Sequence, residues 1–253
     1  MKKLALITGA TSGIGLATAR LFAKNSWNLI LTGRRQDRLE NLKQELESEN
    51  NIEIQILCFD IRVNQEVESA INSLSEEWNN VDLLVNNAGL AAGLDEFQDA
   101  SIADWDQMID TNIKGLLYIS KIISQDMVSR KSGHIINVSS IAGSQTYSRG
   151  HVYCGTKHAV KSITEGMRID LGAYGVKVSS VSPGLVETEF SMVRFKGDEK
   201  KAEPVYKGYK PLQAEDVAES IYFSATAPAH VNLADILILP SAQVMATITY
   251  KNN

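Results

Sequence analysis

Short apolar runs alternate with longer stretches of helical period along almost the whole chain. Leu4–Thr8, Leu29–Thr32, Ile54–Phe59, Leu83–Val85, His134–Val138, Lys177–Ser182 and Ile236–Leu239 are brief and rich in apolar residues, as strands covered on both faces are. Between them Ile14–Asn25, Gln36–Ser48, Gln65–Glu77, Val152–Tyr174 and Ala214–Ser224 carry helical spacing. In Gln36–Ser48, for example, Leu39, Leu42 and Leu46 share one face of an otherwise charged segment. Ser101–Ser129 is long enough for two helices in tandem. Strands joined through helices need crossovers, which are right-handed and lay the strands parallel. The pattern predicts an α/β chain: one domain over residues 1–253, a doubly wound parallel sheet of about seven strands, helices on both faces. One stretch breaks the alternation. Glu189–Pro211 is charged, with Lys196-Gly197-Asp198-Glu199-Lys200-Lys201 inside it. Long insertions in compact domains are commonly functional, so residues 188–211 are a candidate substrate lid.

Composition narrows the partners. The 44% hydrophobic and 22% charged fractions are those of a globular protein, not a disordered one. A net charge of −5, without any basic block, argues against nucleic acid as the main partner. Cys58 and Cys154 are too few and too far apart for a disulfide framework or a zinc site, and no metal is expected. Cys58 lies in an apolar run and is expected in the core; nothing marks Cys154 as reactive. Met1-Lys2-Lys3 leads directly into a strand rather than a signal peptide, and no apolar run is long enough to span a bilayer. The expectation is a soluble, cytoplasmic protein with no membrane partner.

The chemistry begins at the first strand-to-helix turn. Thr8-Gly9-Ala10-Thr11-Ser12-Gly13-Ile14-Gly15 spaces its glycines as Gly-x3-Gly-x-Gly. Glycines there permit a tight turn and close approach of backbone to a pyrophosphate, while the helix start offers free N–H groups to anions. Gly9, Thr11, Ser12, Gly13, Ile14 and Gly15 are therefore candidate cofactor contacts. The second strand ends in Gly33-Arg34-Arg35, without the acidic residue that would accept hydrogen bonds from a ribose. Guanidinium groups suit a 2′-phosphate instead, so Arg34 and Arg35 point to NADP rather than NAD. Farther on, Tyr153 and Lys157 are spaced i, i+4 and share a helical face. A nearby ammonium favours a phenolate, which would lower the tyrosine pKa toward working pH and make Tyr153 a general acid/base. Taken alone, each of these features also fits an ordinary turn or an incidental helix pair.

Together they resemble the short-chain dehydrogenase/reductase family, whose motifs recur here in order over essentially the whole chain. That resemblance implies a Rossmann-type fold and further site residues. Asp60-Ile61 resembles the family's adenine contact, and Asn87-Ala88-Gly89, within Asn86-Asn87-Ala88-Gly89, its cofactor loop. Ser140, thirteen residues before Tyr153, has the spacing of the family's catalytic serine and is preferred to Ser139 on that ground. Asn112 matches the family's helix asparagine, linked there to a proton path ending at the lysine. Pro183-Gly184, followed by Val186 and Thr188, matches its nicotinamide-side turn. The implied catalytic set is Asn112, Ser140, Tyr153 and Lys157, with Tyr153 and Lys157 also touching the cofactor. A narrower likeness, in Glu189–Asp198, Pro228–Asn232 and Leu239-Pro240, is to NADP-dependent 3-hydroxy acid dehydrogenases, also described as serine or allo-threonine dehydrogenases and malonic semialdehyde reductases. It implies a small 3-hydroxy or 3-oxo acid substrate and a homotetramer. Such a carboxylate needs a cation, for which Arg194 and Arg149 are the candidates. Two alternatives remain. A broad carbonyl reductase of the same family would prefer apolar ketones. A non-catalytic NADP-binding sensor would be expected to have lost one of Ser140, Tyr153 and Lys157, and all three are present. A nucleotide-sugar epimerase would need a further C-terminal domain.

Overall fold

The computed structural model describes residues 2–251. Seven strands form one parallel sheet: β1 (Leu4–Thr8), β2 (Asn28–Gly33), β3 (Ile54–Cys58), β4 (Leu83–Asn86), β5 (Gly133–Val138), β6 (Val176–Pro183) and β7 (Asp235–Ile238). Their spatial order is β3-β2-β1-β4-β5-β6-β7. The order reverses between β1 and β4, and at such a switch point the diverging loops leave a crevice at the carboxyl ends of the strands. The sheet is the Rossmann-type sheet expected from the alternation.

Side-chain alternation splits the interior into two layers. Ala5 and Ile7 of β1, Leu29 and Leu31 of β2, and Leu83 and Val85 of β4 face one side. They meet α1 (Gly13–Lys24), α2 (Gln36–Glu49) and α9 (Ala214–Thr226) through Phe22, Leu42 and Ile221. Leu4, Leu6, Ile30, Leu84 and Ile135 face the other side. There they meet α3 (Asn64–Asn72), α5 (Leu116–Arg130) and α6 (His151–Gly172) through Val67, Ile71, Ile119, Ile123 and Met127 of α3 and α5, with Met167 and Leu171 of α6 packed alongside. Period two in the strands and period 3.6 in the helices thus bury two apolar faces against one sheet.

Several boundaries differ from the sequence expectation. The third helix ends at Asn72 rather than Glu77. Ser73 donates from its hydroxyl to the Ala70 carbonyl, and a short 3-10 turn, Glu76–Trp78, follows. Serine competing with the helix backbone in this way favours termination. Cys58 is exposed, not buried, because it is the last residue of the edge strand β3. The tandem helices between residues 101 and 130 are α4 (Ile102–Ile109) and α5, joined by a π-helical segment, Asp110–Gly115. The 188–211 insertion is itself ordered into α7 (Phe190–Arg194), α8 (Glu199–Ala202) and a 3-10 turn, Glu203–Tyr206. Its base is zipped: Glu187 N–H donates to Leu212 O at 2.8 Å, and Leu212 N–H to Leu185 O at 3.1 Å. A C-terminal hairpin, β8 (Gln243–Met245) with β9 (Ile248–Thr249), lies outside the main sheet. Among the described residues no helix is long and apolar enough to cross a membrane.

Candidate active site

A cleft of about 810 Å³ runs along the carboxyl ends of the strands across the switch point. It is within the size range of small-molecule and cofactor sites. Of the candidate cofactor, catalytic and substrate residues, all line this cleft except Gly15, Asn112 and Arg149.

At one end the β1–α1 turn closes tightly. Gly9 has φ +66° and lies so near β4 that a side chain would begin 3.0 Å from Ala88 Cα. Gly13 has φ +53° and faces the Thr188 side chain, which a methyl group would meet at 3.4 Å. The turn therefore needs glycine at both places. Asn87 fastens it to β4: its Nδ2 donates to Thr8 O at 2.9 Å and to Gly9 O at 3.3 Å. Arg35 holds the turn from the other side, donating from Nη2 to Thr11 Oγ1 at 2.8 Å and to Ser12 Oγ at 3.0 Å. Arg34 is exposed, lines the cleft and has no hydrogen-bond or ion-pair partner among the described residues. Asp60 is bound by Arg62, whose Nε lies 3.0 Å from each carboxylate oxygen, and that pairing holds the carboxyl below its ordinary range. The donor set and the glycine-lined floor fit the phosphates of a dinucleotide: hydroxyls, a helix start and an unpaired guanidinium converge where side chains are absent.

At the other end, Ser140 follows β5 as the N-cap of a 3-10 turn, Ile141–Gly143. Its Oγ accepts from Ala142 N at 3.1 Å and donates to Pro183 O at 3.4 Å. Tyr153 and Lys157, one turn apart on α6, are 8% and 7% exposed, so their polar ends have left bulk water. Lys157 Nζ donates to Val138 O at 3.0 Å, and burial lowers its pKa to about 8. The expected lowering of the Tyr153 pKa is not seen. Burial raises it instead, opposed by the Ser140 hydroxyl and the Arg194 charge, and the lysine is engaged with β5. The phenol is therefore held protonated near neutral pH, the form that donates a proton.

Asn112 lies behind the cleft rather than in it, on the π segment. Its Nδ2 donates to Leu90 O at 2.8 Å and to Thr156 Oγ1 at 3.0 Å, while its Oδ1 accepts from Leu90 N at 2.9 Å. Gly89, next to this brace, runs so close that a side chain would meet Asn112 Oδ1 at 3.2 Å and Lys157 Nζ at 3.5 Å.

The two candidate arginines part company. Arg194, at the end of α7, reaches into the cleft. Its Nη1 donates to Tyr147 Oη at 3.0 Å, its Nε to Gly93 O at 3.2 Å, and its guanidinium carbon lies 5.7 Å from the Tyr153 ring centre. Arg149 turns away. In a left-handed conformation, φ +62°, it pairs with Glu96 at 3.0 Å on the exposed surface. Cys154 is buried, and its thiol is pushed up by that burial, so it stays protonated. Among the cleft residues that sequence reasoning missed are Tyr147, and Gln243 and Ala246 of the C-terminal hairpin. Gln243 is 3% exposed and accepts from Leu185 N at 2.8 Å, backing the turn after Pro183.

A doubly wound sheet with a glycine-turn cleft, a buried tyrosine–lysine helix face and a serine at the neighbouring strand end defines a dinucleotide-linked enzyme class. Residues 3–199 match the short chain dehydrogenase family, and the chain belongs to that family. It is 44% identical over 247 residues to the NADP-dependent 3-hydroxy acid dehydrogenase YdfG of Salmonella typhi, covering 97% of this chain and 98% of that protein. It is 45% identical over 244 residues to sulfoacetaldehyde reductase 2 of Chromohalobacter salexigens, covering 96% of each. A solved structure of the closed form of serine dehydrogenase complexed with NADP+ superposes with a TM-score of 0.92 at 44% identity, covering 99% of this chain and all of that one.

Proposed function

We propose that this chain is an NADP(H)-dependent oxidoreductase acting on a small 3-hydroxy acid or its 3-oxo counterpart. The observation that carries the reading is Arg194 standing over Tyr153 inside the cleft, which Ser140 also lines. Relatives that are NADP-dependent and full-length in their match support the cofactor, as does the Arg34–Arg35 strand end.

When bound, the nicotinamide supplies the hydride acceptor or donor. This chain's residues manage the rest. Thr11, Ser12 and the start of α1 receive phosphates, and Arg34 receives the 2′-phosphate while Arg35 braces the turn beside it. Asp60 and Ile61 line the adenine end, while Asn87, Ala88, Gly89, Pro183, Gly184, Val186 and Thr188 form the walls toward the nicotinamide. Ser140 Oγ donates to the substrate oxygen. Tyr153 Oη gives that oxygen its proton in reduction and takes it back in oxidation. Lys157, charged below about pH 8, lends positive charge beneath the tyrosine, and Asn112 fixes the loop above it. Arg194 receives the substrate carboxylate. Its two existing contacts fix the fork, leaving N–H groups for a bidentate grip. Arg149, bound to Glu96 outside the cleft, takes no part in this reading. The 188–211 segment serves as the lid. Exposed Ile169, Phe223 and Leu237 are consistent with burial between copies in a homotetramer.

The test is NADP+ reduction with serine, allo-threonine and 3-hydroxypropionate, set beside NADPH oxidation with simple uncharged ketones. Turnover of the hydroxy acids without ketone reduction is expected. The reverse pattern would replace this reading with a broad carbonyl reductase.

A further inference from the structure

The lid is anchored on both flanks. On the substrate side Gly93 N–H donates to Arg194 O at 3.0 Å, and Lys196 pairs with the largely buried Asp104 at 2.9 Å. On the cofactor side the anchor is a single carboxylate, Glu189. Arg38 Nη1 lies 2.9 Å from one of its oxygens and 3.3 Å from the other, and Arg35 Nη1 lies 3.3 Å from the second. Arg35 spends its remaining contacts on Thr11 and Ser12 in the phosphate-binding turn. Thr188, the neighbour of Glu189, stands against Gly13 of the same turn. Turn, strand end and lid are thus linked through one guanidinium, and both Arg35 and Glu189 line the cleft. None of the family motifs includes Arg38, yet Glu189 ties the lid both to it, on α2, and to Arg35 at the end of the β2–α2 connection.

We propose that Glu189 is a positioning residue that clasps the lid over the bound cofactor through Arg35 and Arg38, so that cofactor release requires this bridge to open. The proposal rests on the NADP(H) reading above. The geometry favours a clasp over competition with the 2′-phosphate. Arg35 is already engaged by the turn and the lid, whereas Arg34, unpaired in the cleft, is the freer of the two for the phosphate.

The experiment follows release of NADPH from the full-length protein by its fluorescence, in stopped flow against excess NADP+. Wild type is compared with Glu189→Gln, Arg38→Gln and the double variant. Each single change should raise the release rate about 2- to 5-fold, the scale of partly exposed ion pairs. The double variant should be no faster than the faster single one, because the two changes remove one interaction. Raising salt from about 0.05 to about 0.5 M should carry the wild-type rate toward that of the variants and leave theirs nearly unchanged. General loosening of the fold would lower Tm without that convergence. An unchanged release rate in Glu189→Gln would overturn the clasp. Slower release would also overturn it, by showing that the carboxylate competes with the phosphate. Wild type lacking saturable NADPH binding would remove the cofactor reading, and the clasp with it.

Discussion

Replacing Lys157 with methionine should make this protein more stable and less active at once. The ammonium is 7% exposed and has one hydrogen bond, to Val138 O. Its pKa falls from 10.5 to about 8 because burial penalises the charge. At about 1.36 kcal/mol per pK unit, that gap corresponds to about 3 kcal/mol spent on keeping the group charged in the fold. Methionine has similar length, removes the charge and forfeits a hydrogen bond of about 1 kcal/mol. The net gain near pH 7 is about 2 kcal/mol, or a rise in Tm of about 4 to 8 °C for a chain of this length. The pH dependence carries the diagnostic sign. The folded pKa lies below the unfolded one, so the unfolded chain holds the extra proton between about pH 8 and about 10.5. Wild-type stability therefore climbs with pH across that window, while below about pH 8 the cost is fully present. By about pH 9.5 the cost has shrunk to about 1.4 kcal/mol and the advantage of Lys157→Met nearly vanishes. Melting curves of both proteins at about pH 7 and about pH 9.5 test this. A variant less stable than wild type near pH 7, or an advantage that does not shrink with pH, would refute the reasoning.

Other consequences are as direct. Tyr153→Phe keeps the ring and removes the proposed proton donor, so kcat should fall about 10²- to 10⁴-fold while NADPH affinity, measured by fluorescence titration, stays within a few-fold. Arg34→Asp should cost NADPH far more than NADH, by about 10- to 100-fold in the ratio of kcat/KM values, since it removes a charged donor and adds a repelling charge; equal losses for both cofactors would contradict the 2′-phosphate assignment. Arg194→Ala should raise KM for a 3-hydroxy acid about 10- to 100-fold, the value of a charge-assisted contact, whereas Arg149→Ala should leave it unchanged. A KM that responds to Arg149 alone would reverse the choice between the two.

The sheet was legible because its strands are buried on both faces. Leu29, Ile30 and Leu31 of β2, for instance, are all at 0% exposure, which leaves no polar position to blur the run. The glycine turn and the Tyr153–Lys157 pair were legible because each is local: a turn, or one helical repeat. What sequence could not give is set by contacts between distant segments. Cys58 reads as core until β3 is known to be an edge strand. Arg149 rivals Arg194 as the cation until one is turned outward by a left-handed residue and the other is carried inward by α7. Gln243 reaches the cleft from a hairpin 58 residues beyond Leu185, and no periodicity encodes that return. The downward pKa expected for Tyr153 failed for the same kind of reason. Its neighbour on the helix face donates to a strand carbonyl, and the surrounding apolar floor of Leu90, Ala91 and Met108 decides the direction.

The Asn112 side chain makes with Leu90 the pair of bonds that a neighbouring β-residue would make, one accepted and one donated. In effect the sheet's pairing is continued for one more step, onto a helix. Its third bond, to Thr156, ties that step to α6, so the loop after β4, the π segment and the tyrosine-bearing helix are coupled through one side chain. The segment between Glu187 and Leu212 stands outside this coupled frame and is tied at its base by two backbone hydrogen bonds. On the proposed reading the labour is divided accordingly: the groups assigned to proton transfer sit on the coupled frame, and the arginine assigned to the substrate sits on the inserted segment.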